Sequence, residues 1–207
     1  MIEAALMLGN VQGSASAWQF IGSTNLLTTD SAPITPGLPA GIREGDLLVG
    51  VMSPRSEQAP TEMLTNGWQR WRTGNQDYLC AARYVAGLAA PRWYKGAASG
   101  VFTAVLAFRT RAWSTFTLAA QSAPAAPADL GTTVRNSLVL AIGVTPGTTR
   151  DWQVSVGGTL APVSRIERAL APGMQVSSLS VDYPQPVLGL MVDALSGSER
   201  NLILTAY

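Results

Sequence analysis

Asp46-Leu47-Leu48-Val49-Gly50-Val51-Met52 is nearly continuous in apolar side chains and follows Gly45. A short run of this kind reads as a β-strand, and its lack of polar alternation implies cover on both faces. A comparable run, Ser137–Val144 (SLVLAIGV), follows Asn136 in the second half. Each run opens one half of the chain, and neither half contains a long stretch with helical period.

Other strand candidates lie on either side of these two. They are Trp18–Ser23, Tyr78–Ala86, Val101–Phe108, Ser114–Ala120, Gln153–Val156, Gln175–Asp182 and Asn201–Ala206. Trp18 and Phe20 alternate with Gln19 and Ile21; Tyr78, Cys80, Ala82 and Tyr84 alternate with Leu79, Ala81, Arg83 and Val85. Gly and Pro interrupt the chain roughly every 8–12 residues, the spacing of a sandwich or barrel. Antiparallel pairing is expected, because parallel strands need crossovers of about a dozen residues or more. Two short segments have helix signals: Met1–Leu8, and Ser164–Leu170 before Pro172-Gly173.

The fold class expected is therefore all-β: an antiparallel β-sandwich, jelly-roll-like, with an N-terminal extended or short helical arm. Its boundaries fall at 1–17 for the arm and 18–207 for the sandwich. Leu47, Val49, Val51, Leu79, Ala81, Val101, Val105, Leu138, Leu140 and Ile142 are expected in the core. The Ala/Pro-rich stretch Gln121–Gly131 reads as an extended connector between halves of about 18–120 and 132–207. Those halves look loosely alike. An internal pseudo-repeat accounts for this, and so do two stacked sheets without duplication.

Composition narrows function by exclusion. The 207 residues carry 14 Lys+Arg, 13 Asp+Glu, no histidine and one cysteine. Without imidazole there is no histidine-based triad and no histidine-ligated zinc site. One thiol, Cys80, builds no disulfide framework or iron–sulfur cluster, and its apolar strand marks it as an inert core residue. A net charge of +1 offers no broad basic field, so neither nucleic acid nor a membrane is expected as partner. No apolar run approaches the ~20 residues of a membrane span, and Met1–Gly13 makes a poor signal peptide. Asp46, Asp77, Asp151, Asp182 and Asp193 sit beside turns, where they read as caps. No calcium-loop spacing occurs, and Gly96–Gly100 lacks a phosphate-loop lysine. No catalytic residue, metal site or cofactor is expected.

Only 13% of the residues are charged, about half the usual share of ~25%. A surface so poor in charge is expected to be covered by neighbours. Trp68, Trp71, Tyr78, Trp93 and Tyr94 fall within 27 residues, interleaved with Arg70, Arg72, Arg83, Arg92 and Lys95. Such a cluster reads as interface anchors, as core, or as a sugar-stacking platform. The interface candidates are Trp68, Trp71, Arg83, Trp93 and Tyr94, with Ile2, Leu6 and Leu8 of the arm docking on another subunit.

Between Gly41 and Arg111 the order of motifs is GDLL (Gly45–Leu48), then Asn66-Gly67-Trp68, then Ala82-Arg83-Tyr84-Val85-Ala86-Gly87. Trp93-Tyr94 and the strand Ala104–Arg109 follow. This order resembles a group of β-rich bacteriophage virion proteins of the tail, tail-fibre or minor structural kind. Phe108-Arg109-Thr110 departs from it, standing where that group has an aromatic-Arg-Gly. The resemblance implies a non-enzymatic subunit, a homo-oligomer bound to other virion proteins, located in the virion and assembled in the host cytoplasm. The alternatives are a capsid decoration protein and a module binding a host surface glycan through exposed Trp and Tyr. A histidine-free glycosidase or lyase using carboxylates and tyrosines is the remaining reading.

Overall fold

The computed structural model describes residues 18–29, 33–54, 61–73, 76–95, 100–121, 129–132, 137–145, 152–156, 159–161, 164–170, 173–181, 186–188, 190–192 and 200–207. Among them are seventeen strands and no helix. The first half supplies β1 (Gln19–Thr28), β2 (Leu47–Pro54), β3 (Thr61–Met63), β4 (Gln69–Thr73), β5 (Gln76–Arg83), β6 (Trp93–Lys95) and β7 (Val101–Arg109). These form one seven-stranded sheet in the order β1-β7-β2-β5-β3-β6, with β4 also paired to β5. Every pairing is antiparallel except a single parallel match of Thr61 with Gln76.

The second half supplies β8 (Phe116–Gln121), β9 (Asp129–Thr132), β10 (Ser137–Thr145), β11 (Trp152–Val156), β12 (Thr159–Ala161) and β13 (Ser164–Leu170). β14 (Gly173–Val181), β15 (Pro186–Leu188), β16 (Leu190–Val192) and β17 (Arg200–Ala206) complete it. Five of these form the sheet β13-β14-β10-β17-β8. The rest form two small sheets, β12-β11-β16 and β15-β9.

The two large sheets share one strand order. β4-β5-β2-β7-β1 in the first runs as β13-β14-β10-β17-β8 in the second, and each series is threaded by the chain in the same sequence. Register agrees too: Leu47 lies between Arg83 and Phe108, and Leu138 between Ser180 and Ala206. Both hairpins carry a bulge, at Tyr78 of β5 in the first and at Ile166 of β13 in the second. The smaller pairings correspond as well. β3 pairs with β6 as β11 does with β16, and Ile34 bridges Trp93 where β9 pairs with β15.

Because side chains alternate along a strand, each central strand presents one row inward. Leu47, Val49 and Val51 of β2 meet Leu138, Leu140 and Ile142 of β10 in one cluster. Leu79, Ala81, Leu106, Phe108, Val176 and Leu204 join it. All of these are buried, each contributing about 1.5–3 kcal/mol where a full Val, Leu, Ile or Phe is removed from water. The ten residues expected in the core are all buried.

The outer face of the first sheet is covered as well. Leu48, Met52, Cys80, Val101 and Val105 pack beneath Ile34, Met63, Trp68 and Trp93. This second layer explains the unbroken apolar run of β2. It also explains Gly50: a Cβ there would lie 2.7 Å from Cys80 Sγ and 3.2 Å from Pro91 Cγ, beneath the Trp93 ring. Gly50→Ala is expected to destabilise the fold by about 1–3 kcal/mol through overpacking. Cys80→Ala removes the nearest atom, so the double variant should lose less than the sum of the singles in urea denaturation.

Three expectations are corrected. Ser164–Leu170 is not helical: it is β13, where the hairpin with β14 overrides local propensity. The alternation of Trp18–Ser23 is broken by a bulge between Phe20 and Gly22. The connector Gln121–Gly131 does not divide the halves, because β8, which ends at Gln121, pairs with β17 in the second sheet. The change of sheet falls instead between Arg109 and Phe116. The arm, with Ile2, Leu6 and Leu8, lies outside the described residues.

Candidate functional site

The aromatic candidates do not form one surface. Trp93 is fully buried and Trp68 is 7% exposed, both in the outer core layer. The Trp68 indole N–H donates to Ala89 O at 2.9 Å. Thr65 reinforces this link by donating from its hydroxyl to Ala90 O and accepting from Arg92 N. The preceding Gly67 has φ +87°, which favours glycine, and its turn aims Trp68 inward. Trp68 and Trp93 are therefore core residues and not surface anchors, a correction to the interface reading. An Arg-interleaved aromatic run does not reveal which side of a strand each ring takes.

Trp71 is half-buried on the inner face, against the sandwich core. Tyr94 remains 44% exposed beside exposed Leu64. Arg83 is exposed at the far end of β5 from Gln76, where β3 attaches. Of the five described candidates, Arg83 and Tyr94 are thus surface groups, and they stand on different parts of the sheet.

Arg83 leads to a denser arrangement. Its guanidinium lies 4.0 Å from the Trp113 ring centroid, and its Nη2 donates to the Trp113 carbonyl. Trp113 is half-buried against Trp18 and Phe116, with centroid separations of 6.1 and 6.3 Å. Its indole N–H donates to Gly45 O at 2.6 Å. Trp113 comes from the segment joining the two sheets, so this ring fastens that segment to the start of β2.

Beside Gly45, Asp46 is 3% exposed and accepts three hydrogen bonds. Arg109 Nε and Nη2 donate to its two oxygens at 2.8 and 2.7 Å, and Arg43 N donates at 2.8 Å. Arg109 Nη2 also donates to Gly41 O at 2.9 Å. The hydrogen bonds that Arg109 donates to Asp46 raise the Arg109 pKa above its ordinary value; burial opposes this and the carboxylate charge adds to it. Arg109 therefore stays charged at every accessible pH. The turn-and-cap role expected of Asp46 is present in its bond to Arg43 N, and the bidentate ion pair adds a link from the start of β2 to the end of β7. In the second sheet Ser137 and Tyr207 occupy the matching register positions, which therefore cannot form such a pair.

Arg43, Arg109, Arg111 and Trp113 were not among the expected site residues. A signal existed in Arg109-Thr-Arg-Ala-Trp113, which interleaves arginine with an aromatic as the earlier segment does. Among the described residues no group of three or more His, Cys, Asp or Glu is placed to hold a metal ion. No family model, curated protein or solved structure matches this chain.

Proposed function

We propose that this chain is a structural subunit of a bacteriophage virion, of the tail, baseplate or fibre region. It works by binding copies of itself and other virion proteins and catalyses nothing. The observation that carries the reading is on β1, the outermost strand of the first sheet. Phe20, Leu26 and Leu27 are exposed there, Leu27 by 61%. Side chains of this size left in water on an edge strand favour association, and a low surface charge does little to oppose it.

The motif order from GDLL to Phe108-Arg109 supports the same reading. Gly67 and the Asp46–Arg109 pair give those motif residues structural roles in turns and core, as expected of a shared fold with no catalytic centre. The glycan-binding alternative loses Trp68 and Trp93 from its platform, since both are buried.

In light scattering after size exclusion, the purified chain is expected to be an oligomer. Leu26→Glu with Leu27→Glu should shift it toward monomer while leaving Tm within a few degrees, and should reduce its incorporation into particles measured by mass spectrometry. A wild-type chain that is monomeric, absent from particles and able to cleave a glycan would overturn the proposal.

A further inference from the structure

Four of the chain's fourteen basic residues line one cleft of about 370 Å³ at the end of the first sheet. Arg43 comes from the β1–β2 connection, Arg83 from the end of β5, Arg109 from the end of β7 and Arg111 from the segment between the sheets. Its volume lies in the lower part of the ~300–1,000 Å³ range of small-molecule sites.

The four guanidiniums are not equivalent. Arg109 is committed to Asp46. Arg83 is held by Trp113, yet Nη2 alone makes its hydrogen bonds, to the carbonyls of Trp113 and Ser114, and the group stays exposed. Arg43 and Arg111 are exposed and have no ion pair or side-chain hydrogen bond among the described residues. Two carboxylates line the cleft. Asp46 is occupied, and Glu44 Oε1 accepts from Ala86 N at 3.2 Å. Four guanidiniums against two carboxylates leave two positive charges uncompensated, in a chain whose whole net charge is +1.

Holding like charges together without a counter-charge opposes folding. Three chain segments nevertheless deliver them to one concave site, and a fixed aromatic contact orients one of them. We propose that this cleft binds a small oxyanion-bearing ligand, carboxylate or phosphate, between Arg43 and Arg111 with Arg83 as a pre-oriented third donor. The planar fork of a guanidinium matches both groups by paired N–H···O bonds. This goes beyond the assembly reading and does not depend on it.

The test is calorimetric titration of the full chain with citrate and, separately, with inorganic phosphate, at low ionic strength where charge pairing is least screened. Saturable binding of at least one anion is expected, weakened at least about tenfold (about 1.4 kcal/mol) by Arg43→Gln with Arg111→Gln. Arg111→Gln alone should weaken it in the same direction, and Arg92→Gln, an exposed arginine outside the cleft, should leave it unchanged. Citrate alone identifies carboxylate as the preferred group; phosphate alone identifies phosphate. Circular dichroism of each variant verifies the fold. No binding of either anion at about 10 mM, or equal binding by folded wild type and double variant, overturns the proposal.

Discussion

Asp46→Ala is expected to lower unfolding stability by about 3 kcal/mol in urea denaturation, since bonds to a buried charged group are each worth ~1.5–3 kcal/mol. The carboxylate satisfies two guanidinium donors and a backbone N–H at once. Its loss leaves the Arg43 N–H without its acceptor and the Arg109 side chain with Gly41 O in place of three bonds. Asp46→Asn keeps the shape but turns one acceptor into a donor facing those donors, so it should recover only part of the loss. Arg109→Met strands the carboxylate instead and should also destabilise. The double variant Asp46→Ala/Arg109→Met should be less unstable than the two singles added together, the signature of a coupled pair. Additive losses would show that the two groups act independently.

The other large effect lies in the outer layer. Trp93→Ala removes a fully buried ring that packs over Gly50 and Cys80, and is expected to cost about 3–5 kcal/mol. Among the described residues the Trp93 indole N–H has no hydrogen-bond partner, and such a buried donor carries a penalty of ~1–3 kcal/mol. Trp93→Phe removes that donor while retaining most of the apolar contact, so its loss should be about 1 kcal/mol or less. A loss for Phe close to that for Ala would show that shape, not burial, dominates at this position. An alanine variant as stable as wild type would show that the outer layer does not stabilise the sheet.

Strand positions were legible because they depend on local pattern. The apolar runs of β2, β7 and β10 and the Gly and Pro between them are visible in the chain itself. What the pattern concealed depended on partners distant in sequence. Ser164–Leu170 has helix formers, yet β14 supplies a hydrogen-bonding edge that those residues alone do not announce. The rings of Trp68 and Trp93 turn inward because the 84–93 segment folds over the sheet, and composition carries no trace of that. The arginine cleft was hidden for the same reason: its four side chains lie as far apart as Arg43 and Arg111. Cys80, by contrast, was readable as a core thiol from its strand alone.

The common strand order of the two sheets bears on how the chain emerges during synthesis. All described pairings of the seven-stranded sheet join residues up to Arg109, and all pairings of the five-stranded sheet join residues from Phe116 onward. Neither sheet borrows a strand from the other. The first can therefore close its hydrogen-bond ladders on the ribosome before the second has left the exit tunnel, with its inner apolar row exposed in the interval. During that interval Leu47, Val49 and Val51 are open to any similar surface, including the same row on a neighbouring nascent chain. The second sheet is complete only once β17 has emerged, so the exposed row waits for nearly the whole second half of the chain.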